Sequence, residues 1–433
     1  MIEAREIISY IFCLVPTIFL IGTKFWKESD IYDKAVAVML SAFCISNCFD
    51  VYERVQVFIA FSLISIIFAI KNHYFKIPVK LYYLFFAYFL WHAISLLWTK
   101  DIRMAILEGM NMYVLFLFIP LSFSMIKLRK REKQTILTAL FRTISLFAII
   151  SFINLILVSI QLNIPLPEWF KITKSYFAGQ SPYRWIYNWS NYDSPTYLSV
   201  MLVIGLIIGA TKATKEFSFD KIHYVEVGLF AILSLLLILA SQSRLGLLNF
   251  LIICTIFVAI KIYKNKIALS SLIAIIIVGI TLLCLFKSDK MQNFFYDPIR
   301  VQNFKTAQYY IKQHPILGCG VRGMKEEMDS DEVAQELGFQ YAHKDFRNPH
   351  YQFLGDWMQT GIIGLALCIS IYCYIFIYAI KRKDTIMCLF FINFLTLSFT
   401  EMPLNAHWGI MLLLSFIGLF TAYCPDKKRQ PQQ

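Results

Sequence analysis

The residues whose types could do chemistry gather where apolar runs meet polar ones. Arg244 stands between two such runs, 229–240 and 245–260. An ionisable group at that depth is costly, so it faces a cavity or reaches for headgroups. Two readings stay open: a snorkelling cation, or a planar fork that grips a phosphate through two parallel hydrogen bonds. Arg300, Arg322 and Arg347 share one long polar segment with His314, His343 and His350. Singly, each arginine reads as a solvated charge. Two or three converging on one anion would hold a pyrophosphate and stabilise the charge that grows as its bond breaks. His350 follows Asn348-Pro349 and opens an apolar run, so the proline sets its direction. An imidazole there suits a general base near neutral pH, with a headgroup contact as the alternative. His314 precedes a proline turn and serves loop structure, and His343 has no patterned context.

Metal chemistry finds little support. Asp329-x-Asp331 has the look of a metal-binding acidic pair, but the stretch after it runs from Glu332 to Leu337 and closes on Gly338. That pattern is a capped short helix. No Walker loop, Gly-x-Ser-x-Gly or Cys/His metal spacing occurs, so neither a metal nor a cofactor is expected. Seven of the ten cysteines (Cys13, Cys44, Cys254, Cys284, Cys368, Cys373, Cys388) lie inside apolar runs, where they act as small hydrophobes. A disulfide framework is not indicated.

The elements that must position these groups are membrane helices. The chain is 58% hydrophobic and 16% charged, against about a quarter charged in soluble domains. Apolar runs of spanning length fall near 7–22, 33–48, 55–70, 81–98, 104–126, 135–160, 194–211, 223–241, 245–262, 267–286, 350–380, 385–400 and 407–424. The second and third are short, and one of them could be interfacial. The expectation is therefore an all-α polytopic protein of about 12–13 transmembrane helices. The first run lacks a basic leader region and a small-residue cleavage site, so it reads as a retained anchor.

The net charge of +13 sits in short clusters between apolar runs, as the positive-inside rule requires, which argues against nucleic acid as a partner. Lys127, Arg129, Lys130, Arg131 and Lys133 form the strongest cluster. Counting helices from it places the groups near 71–80, 212–221, 261–266, 381–383 and 427–429 on the same, cytoplasmic side. The side of the N-terminus depends on the helix count. The division that follows is helices over 1–286 with an aromatic outer loop at 161–193, a large periplasmic loop at 287–349, helices over 350–424 and a cytoplasmic tail at 425–433. Rings such as Trp169, Tyr183, Trp185 and Trp189 suit either an interfacial belt or sugar stacking. The mid-span stretches are nearly free of charge, with Glu108 the exception, and the polar groups collect at one face. That argues against a transporter for lipid-linked glycan, which would place charges on broken mid-membrane helices.

Three patches together resemble the O-antigen ligase and O-antigen polymerase-like superfamily of bacterial membrane glycosyltransferases. The first is Ser241-Gln242-Ser243-Arg244-Leu245-Gly246 at a helix junction. The second is Arg300 followed by Pro315-Ile316-Leu317-Gly318-Cys319-Gly320. The third is Asn348-Pro349-His350-Tyr351-Gln352-Phe353-Leu354 with Gly361-Ile362-Ile363-Gly364, although the family's Asn after the His is Tyr351 here. Ser194-Pro195-Thr196-Tyr197 is similar to the start of a preceding family helix.

The resemblance implies a multi-pass enzyme of the bacterial inner membrane, metal-independent, with its active site facing the periplasm. Its donor would be a glycan on undecaprenyl diphosphate. Arg244 and Arg300 would bind the diphosphate and His350 would deprotonate the acceptor, with Arg322, Arg347, Asn348 and Tyr197 as further substrate contacts. The acceptor would be lipid A-core in a ligase, or a second lipid-linked repeat unit in a polymerase.

Overall fold

The computed structural model describes residues 2–47, 51–161, 163, 195–215, 221–241, 243–262, 298–322, 331–339 and 349–422. The chain is an all-α polytopic membrane protein, and no strand occurs among the described residues. The helices are α1 (Ile2–Ile21), α2 (Ile31–Ser46), α3 (Val51–Asn72), α4 (Leu81–Ile94), α5 (Ile102–Ser124, with a π turn at Ala105–Met110) and α6 (Lys130–Gln161). They continue as α7 (Pro195–Lys215), α8 (Lys221–Ala240), α9 (Arg244–Ile262), α10 (Pro298–Gln313), α11 (Asp331–Glu336), α12 (Gln352–Arg382), α13 (Thr385–Ser398) and α14 (His407–Thr421). Four helical stretches, in α3, α5, α6 and α12, are long and apolar enough to cross a membrane, and seven shorter apolar helices accompany them among the described residues. The expected span at 267–286, the aromatic loop 161–193 (apart from Gln161 and Asn163) and the tail 425–433 lie outside the described residues.

Two helices form the centre. From Leu198 to Ile208 nearly every side chain of α7 is buried, and so is all of α14 from Trp408 onward. A helix apolar on every side belongs inside a bundle. On α7, Gly205 and Gly209 stand one turn apart. They admit the ring of Phe230 from α8 and that of Phe141 from α6 directly onto the backbone. Small residues at this spacing bring membrane helices close where lipid supplies no hydrophobic drive. Phe43, Phe61 and Phe123 carry the packing across α2, α3 and α5, with centroids 5.5 and 5.1 Å apart.

Ion pairs define one end of the bundle. Arg131 meets Glu28 at 2.6 Å, Arg129 meets Asp33 at 3.0 Å and Lys133 meets Asp384 at 2.7 Å. The chain before α2, the start of α6 and the start of α13 therefore share the Lys/Arg-rich end. Glu28 follows α1, so the first residues of that 20-residue helix lie at the opposite end, about 30 Å away. This fixes the side of the N-terminus relative to the bundle.

The longest structural consequence of one residue is the break in α12. Gly361 adopts φ +67° and ψ −168° inside the helix, a conformation reserved for glycine. The carbonyl of Ile316 also approaches it where a side chain would stand. Backbone groups freed by a break cannot stay unpaired at membrane depth. Here the loop after α10 pairs with them. Cys319 N–H donates to Met358 O (2.9 Å), Gly320 N–H to Gln359 O (2.8 Å), and Ile362 N–H to Pro315 O (3.1 Å). The indole of Trp91 on α4 donates to Thr360 O at 2.9 Å. The Pro315–Gly320 motif is thus a seal on a broken membrane helix.

Candidate active site

The end of the bundle opposite the Lys/Arg cluster carries the candidate site, because α12 runs from His350 at its mouth to Lys381-Arg382 at the basic end. Three segments meet there. α10 begins at Pro298, a residue suited to the first helical turn, and lies along the first turns of α12. Phe304 touches Tyr351 edge-on at 5.8 Å, and Ala307, Tyr310 and Ile311 pack with Met358. The side chain of Tyr351 is therefore spent on seating α10. That seat carries Arg300 onto the turn between α13 and α14. Its Nη1 donates to Thr400 O at 3.0 Å, and its Nη2 lies 3.5 Å from Glu401 Oε1.

His350 reaches the same carboxylate from the other side, with Nδ1 3.0 Å from Glu401 Oε2. Its own φ is +55°. A non-glycine residue held in that region is a strain that surrounding structure must impose, and such strain clusters at functional sites. Pro349 is buried before it, and α12 starts two residues later. Met402, next to Glu401, lies against Gly355, where only the missing side chain makes room. Glu401 is 15% exposed, between Arg300 at 36% and His350 at 32%. A carboxylate so placed accepts a hydrogen bond from Nδ1–H and so favours the tautomer in which Nε2 is the accepting nitrogen.

Arg244 belongs to the same end of the bundle. Ser243 caps α9, accepting from Gly246 N–H at 3.0 Å, and its hydroxyl meets Ser199 of α7 at 3.0 Å. Asn249, a turn and a half further along α9, donates to Asn393 Oδ1 of α13 at 2.8 Å and accepts from Thr396. Thr396 lies five residues before Glu401 and Asn249 five after Arg244. Arg244 itself opens α9 with its side chain exposed. Tyr197 stacks on Trp408 with centroids 4.1 Å apart and planes at 13°, which closes one of its faces to any sugar. Arg322 is set over Gly109 of α5 with φ +55°. Arg347 and Asn348 lie outside the described residues.

Two charged residues near the site have no motif around them. Glu401 is a single acid between α13 and α14. Arg54 is buried in the first turn of α3 and lies within electrostatic reach of both Tyr197 and His407. Their one signal in the sequence is a charge at the edge of an apolar run, on the side away from the basic clusters.

The family model that matches this chain is described as O-antigen ligase. Residues 229–369 match it. The ligase-family segment runs from α8 into α12 and so contains Arg244, Arg300, Arg322, His350 and the seal around Gly361. Glu401, Arg54 and Tyr197 lie outside it. The chain matches no curated protein.

Proposed function

We propose that this chain is a glycosyltransferase of O-antigen ligase type. It moves a glycan from undecaprenyl diphosphate to a hydroxyl of lipid A-core at the periplasmic face of the bacterial inner membrane. The observation that carries this reading is the shared carboxylate: Arg300 and His350, both in the ligase-family segment, meet on Glu401 at the end away from the basic clusters.

In this mechanism Arg300 and Arg244 hold the diphosphate and offset the charge that develops on it as the bond to sugar C1 breaks. His350 Nε2 takes the proton of the acceptor hydroxyl while its oxygen attacks C1, and lipid diphosphate leaves. Glu401 holds the imidazole ring and stabilises the imidazolium that forms. No step in this scheme uses a metal ion.

Deleting the gene and resolving surface glycolipids on a gel tests the reading. Full-length glycan left on its carrier lipid, restored to the core by the wild-type gene and not by His350→Ala, is the expected result. Single repeat units capping the core would make the chain a polymerase of lipid-linked repeat units. An unchanged ladder would remove the assignment.

A further inference from the structure

Beneath the His350–Glu401 pair lies a polar cluster buried in the bundle that no step of the transfer reaction uses. Gln352 and Asp356 are both 0% exposed, one turn apart on α12. The amide of Gln352 has its orientation set by the backbone. Leu404 N–H donates to its Oε1 at 2.8 Å, so the NH2 must point the other way. That group donates to Asn405 Oδ1 at 3.1 Å and to the two Asp356 oxygens at 3.1 and 3.0 Å. Tyr88, buried on α4, donates its hydroxyl to Asp356 Oδ1 at 2.8 Å.

The position of this cluster gives it a task. Gln352 is two residues from His350, and Leu404 and Asn405 are three and four residues from Glu401. One amide therefore clasps both chain segments that bear the pair. Asp356, itself held by Tyr88, prevents that amide from turning over, because a flipped amide would face Leu404 N–H with its own donors. The turn Pro403–Asn405 is placed as well by its own backbone bonds, by the side chain of Leu404 in the core and by its seat on Gly409.

We infer that Gln352 is a positioning residue for the His350–Glu401 pair, with Asp356 and Tyr88 as its support. The inference rests on the reading of that pair as the proton-accepting machinery. It requires that loosening the clasp slow transfer by more than any weakening of diphosphate binding through Arg300, which rests on the same Glu401 turn. A shift of about 1 Å in a reacting group can cost up to about a hundredfold in rate.

The test uses full-length protein in lipid nanodiscs. Tritiated undecaprenyl diphosphate counts binding sites and measures Kd. Lipid-linked glycan accumulated by the deletion strain serves as donor for turnover. Gln352→Leu and Asp356→Leu are expected to lower turnover per binding site by about tenfold or more, a larger change than in Kd. Asp356→Asn, which can still accept from Gln352 and bond Tyr88, should restore most of the rate. Tyr88→Phe removes one oxygen and should give a smaller fall of the same kind, which keeps the test open where a leucine variant inserts poorly. Counting per site excludes unfolded molecules. Wild-type turnover per site in Gln352→Leu, or a loss of affinity that accounts for the whole fall, overturns the inference. An active His350→Ala would instead overturn the reading of the pair.

Discussion

His350 and Glu401 are 51 residues apart in the chain, yet Nδ1 of one lies 3.0 Å from Oε2 of the other. The contact joins the mouth of α12 to the turn between α13 and α14, and Arg300 on α10 reaches the same turn. Three segments without a common motif thus converge on one carboxylate.

Glu401→Gln keeps the size of the side chain and an acceptor for Nδ1–H but removes the charge that stabilises the imidazolium. Transfer should fall by about 10²- to 10⁴-fold, comparable to the loss in His350→Ala. Rates in washed membranes, corrected for protein by immunoblot, check this. A Glu401→Gln variant as fast as wild type would leave the carboxylate without a role in the reaction.

Arg300→Lys should not rescue Arg300→Ala. The guanidinium spans Thr400 O and Glu401 Oε1 with two nitrogens, and an ammonium cannot reproduce that fork. Both variants should weaken undecaprenyl diphosphate binding, measured by equilibrium dialysis in detergent. Equal affinity for Lys and Arg would remove the forked contact from the account.

Gly361→Ala should destabilise the protein by at least about 1–3 kcal/mol, because the residue adopts φ +67° and Ile316 O occupies the space a side chain needs. Gly228→Ala, at a glycine of α8 with open space where its side chain would stand, should cost less. Thermal unfolding followed by intrinsic fluorescence compares the two, and an equal loss would contradict the seal.

At the basic end, Asp384→Ala removes the partner of Lys133 at 2.7 Å and the cap that accepts from Met387 N–H at 3.1 Å. A loss of about 1–3 kcal/mol is expected with turnover per binding site unchanged, since the proposed reacting groups lie at the other end of the bundle. A drop in turnover per site would show that the two ends are coupled.

EDTA should leave transfer unchanged. No group of three His, Cys, Asp or Glu side chains placed to hold a metal ion occurs among the described residues, although Asp329 lies outside them. Activity lost to the chelator and restored by Mg²⁺ or Mn²⁺ would return Asp329-x-Asp331 to consideration.

The helices were legible because hydropathy alone decides which runs leave water, and all but one of the expected spans coincide with a described helix. Arg300 and His350 were legible as residue types at a membrane border, but their meeting place was not. Glu401 sits in no motif, and nothing local distinguishes it from a surface acid. Asp356 was legible as an acid near the start of an apolar run, but its burial was not. Its neighbours are apolar in sequence, and its partners Tyr88 and Gln352 become visible only when α4 and α12 pack. The Gly361-x-x-Gly364 pattern was read as a family signature, whereas its physical reason, a left-handed backbone filled by a carbonyl from another segment, required coordinates.

The seal at Gly361 makes two stretches of chain into one unit of stability. Residues 315–320 and 357–362 hold each other through three main-chain hydrogen bonds and the indole of Trp357 on Pro315 O, so the two stretches should open together. Deuterium should accordingly enter the amides of Cys319, Gly320 and Ile362 in step. Unequal uptake among the three would mean that the plug frays piecemeal.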